Sequence, residues 1–255
     1  MTADAATVPA FGVVIVGDEI LSGRRSDKHL AFISQLLAER GLPLRWARYV
    51  GDDAAAQAQL YRETMASGCE VFSFGGIGAT PDDHSRQAAA TAAGLALVQH
   101  PAATALIEQR FGEAAYPNRI RMAQLPDGCS LIPNPVNQIA GFTLGRHHFL
   151  PGFPDMAWPM ARWVLDQHYA GKGVAQTRQS LLVPGAKEGD LIPLMETLVA
   201  SYPGLGFSCL PSYGNARHAG LHIEFSLSGE AAAVQQACAW LEAELLQRGY
   251  RPEAA

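Results

Sequence analysis

Short apolar runs and longer amphipathic stretches alternate three times before residue 94, which leaves few architectures open. Phe11–Val16 is continuously apolar, the mark of a strand covered on both faces. Lys28–Arg40 sets Leu30, Ile33 and Leu37 on one helical face, with Asp27 as cap and Gly41 as stop. Leu42–Val50 reads as a second strand, turning at Gly51-Asp52-Asp53. Ala54–Ser67 reads as a second helix with Leu60 and Thr64 inward, closed by Gly68. Val71–Phe74 is a third strand and Ala88–Ala93 a third helix. Such alternation with short links predicts a parallel sheet with right-handed crossovers. Ligands of these sheets sit at the carboxyl ends of the strands.

The loops at that edge carry the polar residues. After Val71–Phe74 come Gly75, Gly76 and Gly78, then Thr80, Pro81, Asp82 and Asp83. Glycines let the chain fold tightly and leave N–H groups free to face an anion, and the following helix start adds partial positive charge. Asp82 and Asp83 would repel a bare phosphate. A cation between them and the ligand reconciles the two features, and a plain aspartate cap on a helix is the alternative. Gly17-Asp18-Glu19-Ile20-Leu21-Ser22-Gly23 reads as a polar loop at the same edge. Further on, Leu95–Gln99 is a short strand, Pro101–Phe111 a helix, and Arg119–Gln124 ambiguous. Asn134-Pro135 and the segment to Leu144 read as a loop and a hairpin. His148–Leu150 runs as a strand into Pro151-Gly152-Phe153-Pro154-Asp155, and Met156–Gln167 is a helix with Met160, Trp163 and Val164 inward.

Gly171–Val174 reads as a linker, after which a second unit begins. Ser180–Val183, Gly206–Leu210 and Leu221–Leu227 are strands, and Leu191–Ala200 and Ala231–Gln247 are helices. The last helix aligns Val234, Cys238, Leu241 and Leu245. The order resembles a split β-α-β sandwich without its final strand.

With 48% hydrophobic and 17% charged residues in 255, a sizeable core is expected. A net charge of −5 without a basic run argues against nucleic acid as partner, and the small unit's few cations (Lys187, Arg217, Arg248, Arg251 and little else) argue against RNA binding there. No apolar stretch approaches the ~20 residues of a membrane span. Met1–Ala10 has no signal-like core and reads as a loose tail. Cys69, Cys129, Cys209 and Cys238 are scattered, which points to reduced thiols, a cytoplasmic setting and roles as small buried hydrophobes. There is no phosphate-binding P-loop, dinucleotide fingerprint or serine-hydrolase elbow. His147-His148 and the pair His218 and His222 lack zinc-site context.

Four motifs in order carry a resemblance. Gly17–Gly23 matches Gly-Asp-Glu-Leu-Leu-x-Gly. Gly75–Ser85 matches Gly-Gly-x-Gly-Pro-Thr-x-Asp-Asp-x-Thr, with Ala79 for the proline and Ser85 for the threonine. Asn134-Pro135 matches an Asn-Pro element, and Pro151–Pro154 a Pro-Gly-x-Pro element. Over residues 11–168 the chain resembles the MoCF (MoaB/Mog) molybdopterin-binding domain family, in the version found in CinA-like proteins. The small unit looks like the domain that follows it there. The resemblance does not reach the family's deamidase domain, so it does not imply pyridine-nucleotide deamidation.

The resemblance implies an α/β fold: a three-layer domain with a parallel, mixed sheet over 11–170, followed by a small α+β split β-α-β-like domain over 175–250. It implies a pocket for a phosphorylated pterin or nucleotide, molybdopterin among them. Some relatives are associated with metal-dependent pyrophosphatase activity on ADP-ribose or FAD, so a divalent metal ion is implied if this chain is catalytic. A non-catalytic binding or regulatory module is the other reading. Gly75, Gly76, Gly78 and Thr80 would contact phosphate, with Asp52, Asp82 and Asp83 as catalytic acids and the last two holding metal. Gly17, Asp18, Glu19, Ser22 and Gly23 would flank or line the site, with Asn134, Pro151 and Gly152. Self-association into a homo-oligomer is implied as well. Two stretches depart from the pattern: Asn137-Gln138-Ile139-Ala140 replaces Gly-Thr-Ala-Pro, and Asp27, Lys28 and His29 replace Asn-Thr-x-Asn-like residues.

Overall fold

A computed structural model describes residues 8–214 and 218–254. Met1–Thr7 of the expected tail, and Arg217, lie outside the described residues. The chain divides into two compact units, Met1–Val174 and Ala175–Ala255.

The first unit is built on a six-stranded sheet. Its strands are β1 (Phe11–Val16), β2 (Leu44–Val50), β3 (Glu70–Phe74), β6 (Ser130–Ile132), β7 (Gly141–Leu144) and β8 (His147–Leu150). A separate pair, β4 (Leu97–Gln99) and β5 (Gln124–Pro126), runs antiparallel beside it. The order is β2-β1-β3-β8-β7-β6. The first four strands are parallel, and β7 and β6 join antiparallel. The unit's helices are α1 (Asp18–Leu21), α2 (His29–Glu39), α3 (Ala54–Ala66), α4 (Ser85–Ala93), α5 (Pro101–Phe111) and α6 (Pro154–His168).

Strand alternation explains the three layers. Phe11, Val13 and Ile15 point into one core with Ile33, Leu37, Met160 and Val164, from α2 and α6. Val14 and Val16 point into the other with Tyr61, Ala88 and Ala89, from α3 and α4. Gly12 is needed for a different reason, because a Cβ there would strike the Trp46 indole. Asp27 does cap α2: its carboxylate accepts from the backbone N–H of His29 (2.7 Å) and of Leu30 (3.1 Å). Asp53 caps α3 through Ala56 N–H at 2.7 Å.

Several local expectations are corrected. Gly17–Gly23 is not a plain loop, since Asp18–Leu21 closes one helical turn. β2 begins at Leu44, because Leu42 N–H bonds back to Leu37 O and its side chain joins the core. α4 starts at Ser85, three residues earlier than its alanine run suggested. Arg119–Ala123 is a 3-10 turn, and β6 extends the expected hairpin into a three-stranded meander.

The second unit has an antiparallel sheet of β9 (Thr177–Pro184), β10 (Gly206–Ser212), β11 (His222–Gly229) and β12 (Glu253–Ala254), in the order β10-β11-β9-β12. Helices α7 (Glu188–Ser201) and α8 (Ala231–Gln247) supply Leu191, Leu194, Val234 and Leu241 to a core with Ile223, Phe225 and Leu227. The expected missing strand is therefore present. β12 is only two residues long and pairs with β9, so it carries no periodicity to read. Among the described residues, no helix is long and apolar enough to cross a membrane.

Candidate functional site

A cleft of about 840 Å³ opens where β1, β3 and β8 end. That is the size of a small-molecule site. Each strand hands over to a loop lining it: Gly17 and Glu19 after β1, Gly75–Asp83 after β3, and Pro151–Pro154 after β8. Asp52, after β2, lines it too.

The glycine turn is fixed by collisions that any side chain would cause. Gly75 has φ 103°, and a Cβ would lie 2.6 Å from Val16 O. Gly76 has φ 70°, and a Cβ would strike the Ser85 hydroxyl. At Gly78 it would strike the Asp83 carboxylate. The buried Ser85 hydroxyl donates to Gly75 O at 2.9 Å, and Ser85 N–H donates to Gly76 O at 2.9 Å. Tyr61, wholly buried, donates to that hydroxyl at 3.2 Å.

Asp83 has a defined local task. Its carboxylate accepts from Thr80 N–H at 2.9 Å and from the Thr80 hydroxyl. Neither aspartate caps α4: His84 holds the cap position without a side-chain bond. The capping alternative of the sequence is thereby removed. Thr80 also holds the Asp82 carboxyl below the usual range.

Asp52 lies in a crowd of acids. Burial raises its pKa, and Asp18, Glu19 and Asp82 add like-charge repulsion, against a hydrogen bond from the Asp18 backbone. That bond is half of a reciprocal clasp, Asp18 N–H to Asp52 Oδ2 at 3.0 Å and Asp52 N–H to Asp18 Oδ1 at 3.2 Å. It fastens the loop after β1 to the loop after β2. Among the described residues, no group of three or more His, Cys, Asp or Glu forms a ready metal cage.

Of the remaining expected residues, Asn134, Pro151 and Gly152 line the cleft, whereas Asp18, Ser22 and Gly23 do not. Asn134 is spent on its own loop, accepting from Val136 N–H (3.0 Å) and donating to Ile139 O (3.1 Å). Asn137 donates to the Met156 sulfur and accepts from Ile139 N–H. Arg25, Met122, Phe153 and Met156 also line the cleft, unanticipated from the sequence. Phe153 is 59% exposed there, and only its place after Pro151-Gly152 could have hinted at it. His29 stacks on Phe74 at 4.4 Å, and its Nε2 lies 3.1 Å from Gly152 O. Burial lowers its pKa, and its Nδ1 is buried without a partner. The ring ties α2 to the β8 loop.

A three-layer α/β unit with a glycine turn and acids at the carboxyl edge of its sheet belongs to the class of open α/β folds whose ligand clefts lie at that edge. The family described as "Probable molybdopterin binding domain" matches residues 12–169, and the chain belongs to it, with CinA-like proteins among its relatives. A CinA-like protein of Citrifermentans bemidjiense is 34% identical over 192 residues, covering 72% of this chain and 46% of that protein. The chain thus spans about half the length of several curated relatives it matches. A Thermoplasma acidophilum protein is 28% identical over 232 residues, covering 87% and 88%. The crystal structure described as that of the protein CinA with unknown function, from the same organism, superposes with a TM-score of 0.58 at 30% identity. It covers 63% of this chain and 98% of its own.

Proposed function

We propose that the cleft binds a phosphorylated pterin or nucleotide, with phosphate on the glycine turn and the ring against the apolar wall. The observation that carries this reading is the turn itself. Three glycines are held in place by three different neighbours, Val16, Ser85 and Asp83, at the edge of a cleft large enough for a nucleotide. Met122, Ile139, Phe153 and Met156 supply apolar surface for a planar ring. The family description points the same way. Thermal unfolding in the presence of ADP-ribose, FAD, CoA-type nucleotides and pterin phosphates tests it. At ligand concentrations near a hundred times Kd, binding stabilises by about 2.7 kcal/mol, so one class should raise the midpoint by several degrees. No shift from any of them removes the reading.

A second reading, metal-dependent cleavage of a diphosphate ligand, is favoured by the crowding around Asp52. Carboxylate oxygens suit a hard divalent ion, and magnesium commonly takes one or two carboxylates and completes its shell with substrate phosphates and water. Asp52 and Asp82 would hold it, with Asp83 beside them keeping the turn closed through Thr80. Bound there, the ion would neutralise diphosphate charge and lower the pKa of a water. The turn's N–H groups would stabilise charge on the departing phosphate. Incubation of ADP-ribose with magnesium or manganese should release AMP, and Asp52→Asn should slow release at least a hundredfold while ADP-ribose still binds. Intact ADP-ribose with every divalent ion leaves the binding function standing alone.

A further inference from the structure

Among the described residues, Arg86 is the one arginine buried almost completely, at 2% exposure. Its guanidinium meets no carboxylate within ion-pair distance among the described residues. It reaches three backbone carbonyls instead. Nη2 donates to Gly78 O at 2.6 Å, and Nη1 donates to Gln124 O at 3.0 Å and to Arg121 O. Nε is buried without a partner. Gly78 belongs to the glycine turn, and Arg121 and Gln124 bracket Met122 on the cleft's apolar wall. A buried cation hydrogen-bonded only to carbonyls is costly to retain: burial lowers its pKa, and the Asp83 carboxylate, beyond ion-pair distance, offsets only part of that cost. A peptide whose C=O is held inward presents its opposite, N–H side outward. The distance from Arg86 to three carbonyls on two segments also requires a forked donor, which a lysine lacks.

We propose that Arg86 is a positioning residue: it clamps the glycine turn to the segment carrying Met122 and sets a positive bias beneath the turn for an anionic ligand. The inference rests on reading that turn as the phosphate subsite. The clamp fixes the spacing between the part of the ligand that is charged and the part that is flat. The positive bias acts from behind the backbone, without contact with the ligand.

Two variants separate these roles, with exchange read first on ligand-free protein. Arg86→Met and Arg86→Lys should each speed amide hydrogen exchange at least tenfold in both peptides 75–83 and 119–126. Exchange in β11 of the second unit should stay unchanged. Unaltered exchange in both variants, or loosening of one segment only, overturns the clamp. In calorimetry with ADP-ribose, Arg86→Met should weaken binding at least tenfold, and Arg86→Lys, which keeps the charge, should weaken it severalfold less. Equal losses in the two variants overturn the electrostatic role. If wild-type protein fails to bind ADP-ribose, the proposed nucleotide ligand falls, while the exchange result still decides the clamp. If Arg86→Met does not fold, Arg86→Lys alone decides it by the same exchange criterion.

Discussion

At the scale of single residues, the histidines of β8 are structural and their chemistry is measurable. His147 Nε2 lies 2.9 Å from the Thr64 hydroxyl, and His148 Nε2 lies 2.8 Å from the Tyr169 hydroxyl. Burial lowers His147 to about 4 and His148 to about 3, where His168 and His147 add to the effect. Both values lie below the ~6.5 of an unfolded chain. The unfolded state therefore binds more protons below pH 6.5, so the rings' contribution is whole above that pH and is lost as acid is added. At pH 5 each ring should cost about 2 kcal/mol of stability relative to pH 7.5. Urea unfolding at the two pH values measures this, and an NMR titration should find His147 still neutral at pH 5. A His147 that titrates near 6.5 contradicts it. The sequence could show that this His-His pair lacks a zinc context, and not that Thr64 and Tyr169 would take its nitrogens, because those partners are distant in the chain.

Elements were legible where pattern and period agree. The apolar run of β1, the cap Asp27 and the α8 stripe all follow from nearest-neighbour rules, and α8 spans the residues its periodicity predicts, whereas Asp53 read only as part of a turn. Helix α1, the start of α4 and strand β12 escaped because each depends on tertiary partners or is too short for a period. For the site, the glycine turn and the edge that carries it were legible in motif order. Arg86 was not, since an arginine next to a helix start looks like any solvated residue until its carbonyl partners are in place. Asp27 shows what one cap does: it holds the start of α2 and accepts the Tyr49 hydroxyl at 2.9 Å. Asp27→Ala should destabilise the first unit by about 1–2 kcal/mol, lowering the melting midpoint by roughly 3–6 °C. An unchanged midpoint would show that Tyr49 and solvent replace the cap.

For the whole molecule, the two units each possess a closed set of strands and a core of their own. The second unit packs Leu191, Leu198, Phe225, Val234 and Leu245 on one side of its sheet. A unit of this kind can fold alone. Expressed by itself, the fragment 175–255 should give a cooperative thermal transition and retain its helical circular dichroism. A fragment without a transition would mean that its core depends on the first unit. The sequence loses periodicity at Gly171–Val174, and the two compact units divide after Val174, while the final strand that completes the second sheet left no pattern to read.

The glycine turn also ranks its own replaceability. At Gly75 the obstacle is the backbone carbonyl of Val16, which no change of side chain removes, and the backbone is left-handed besides. At Gly76 the Ser85 hydroxyl could be deleted, yet φ 70° would still penalise any other residue. Only at Gly78 is the obstacle a side chain alone, the Asp83 carboxylate, so trimming that side chain relieves the collision. A genetic search for suppressors would thus find them for Gly78, through changes at Asp83, and find none within reach of one substitution for Gly75. Mutational drift in this turn has a single door, and it opens through the same carboxylate that holds Thr80.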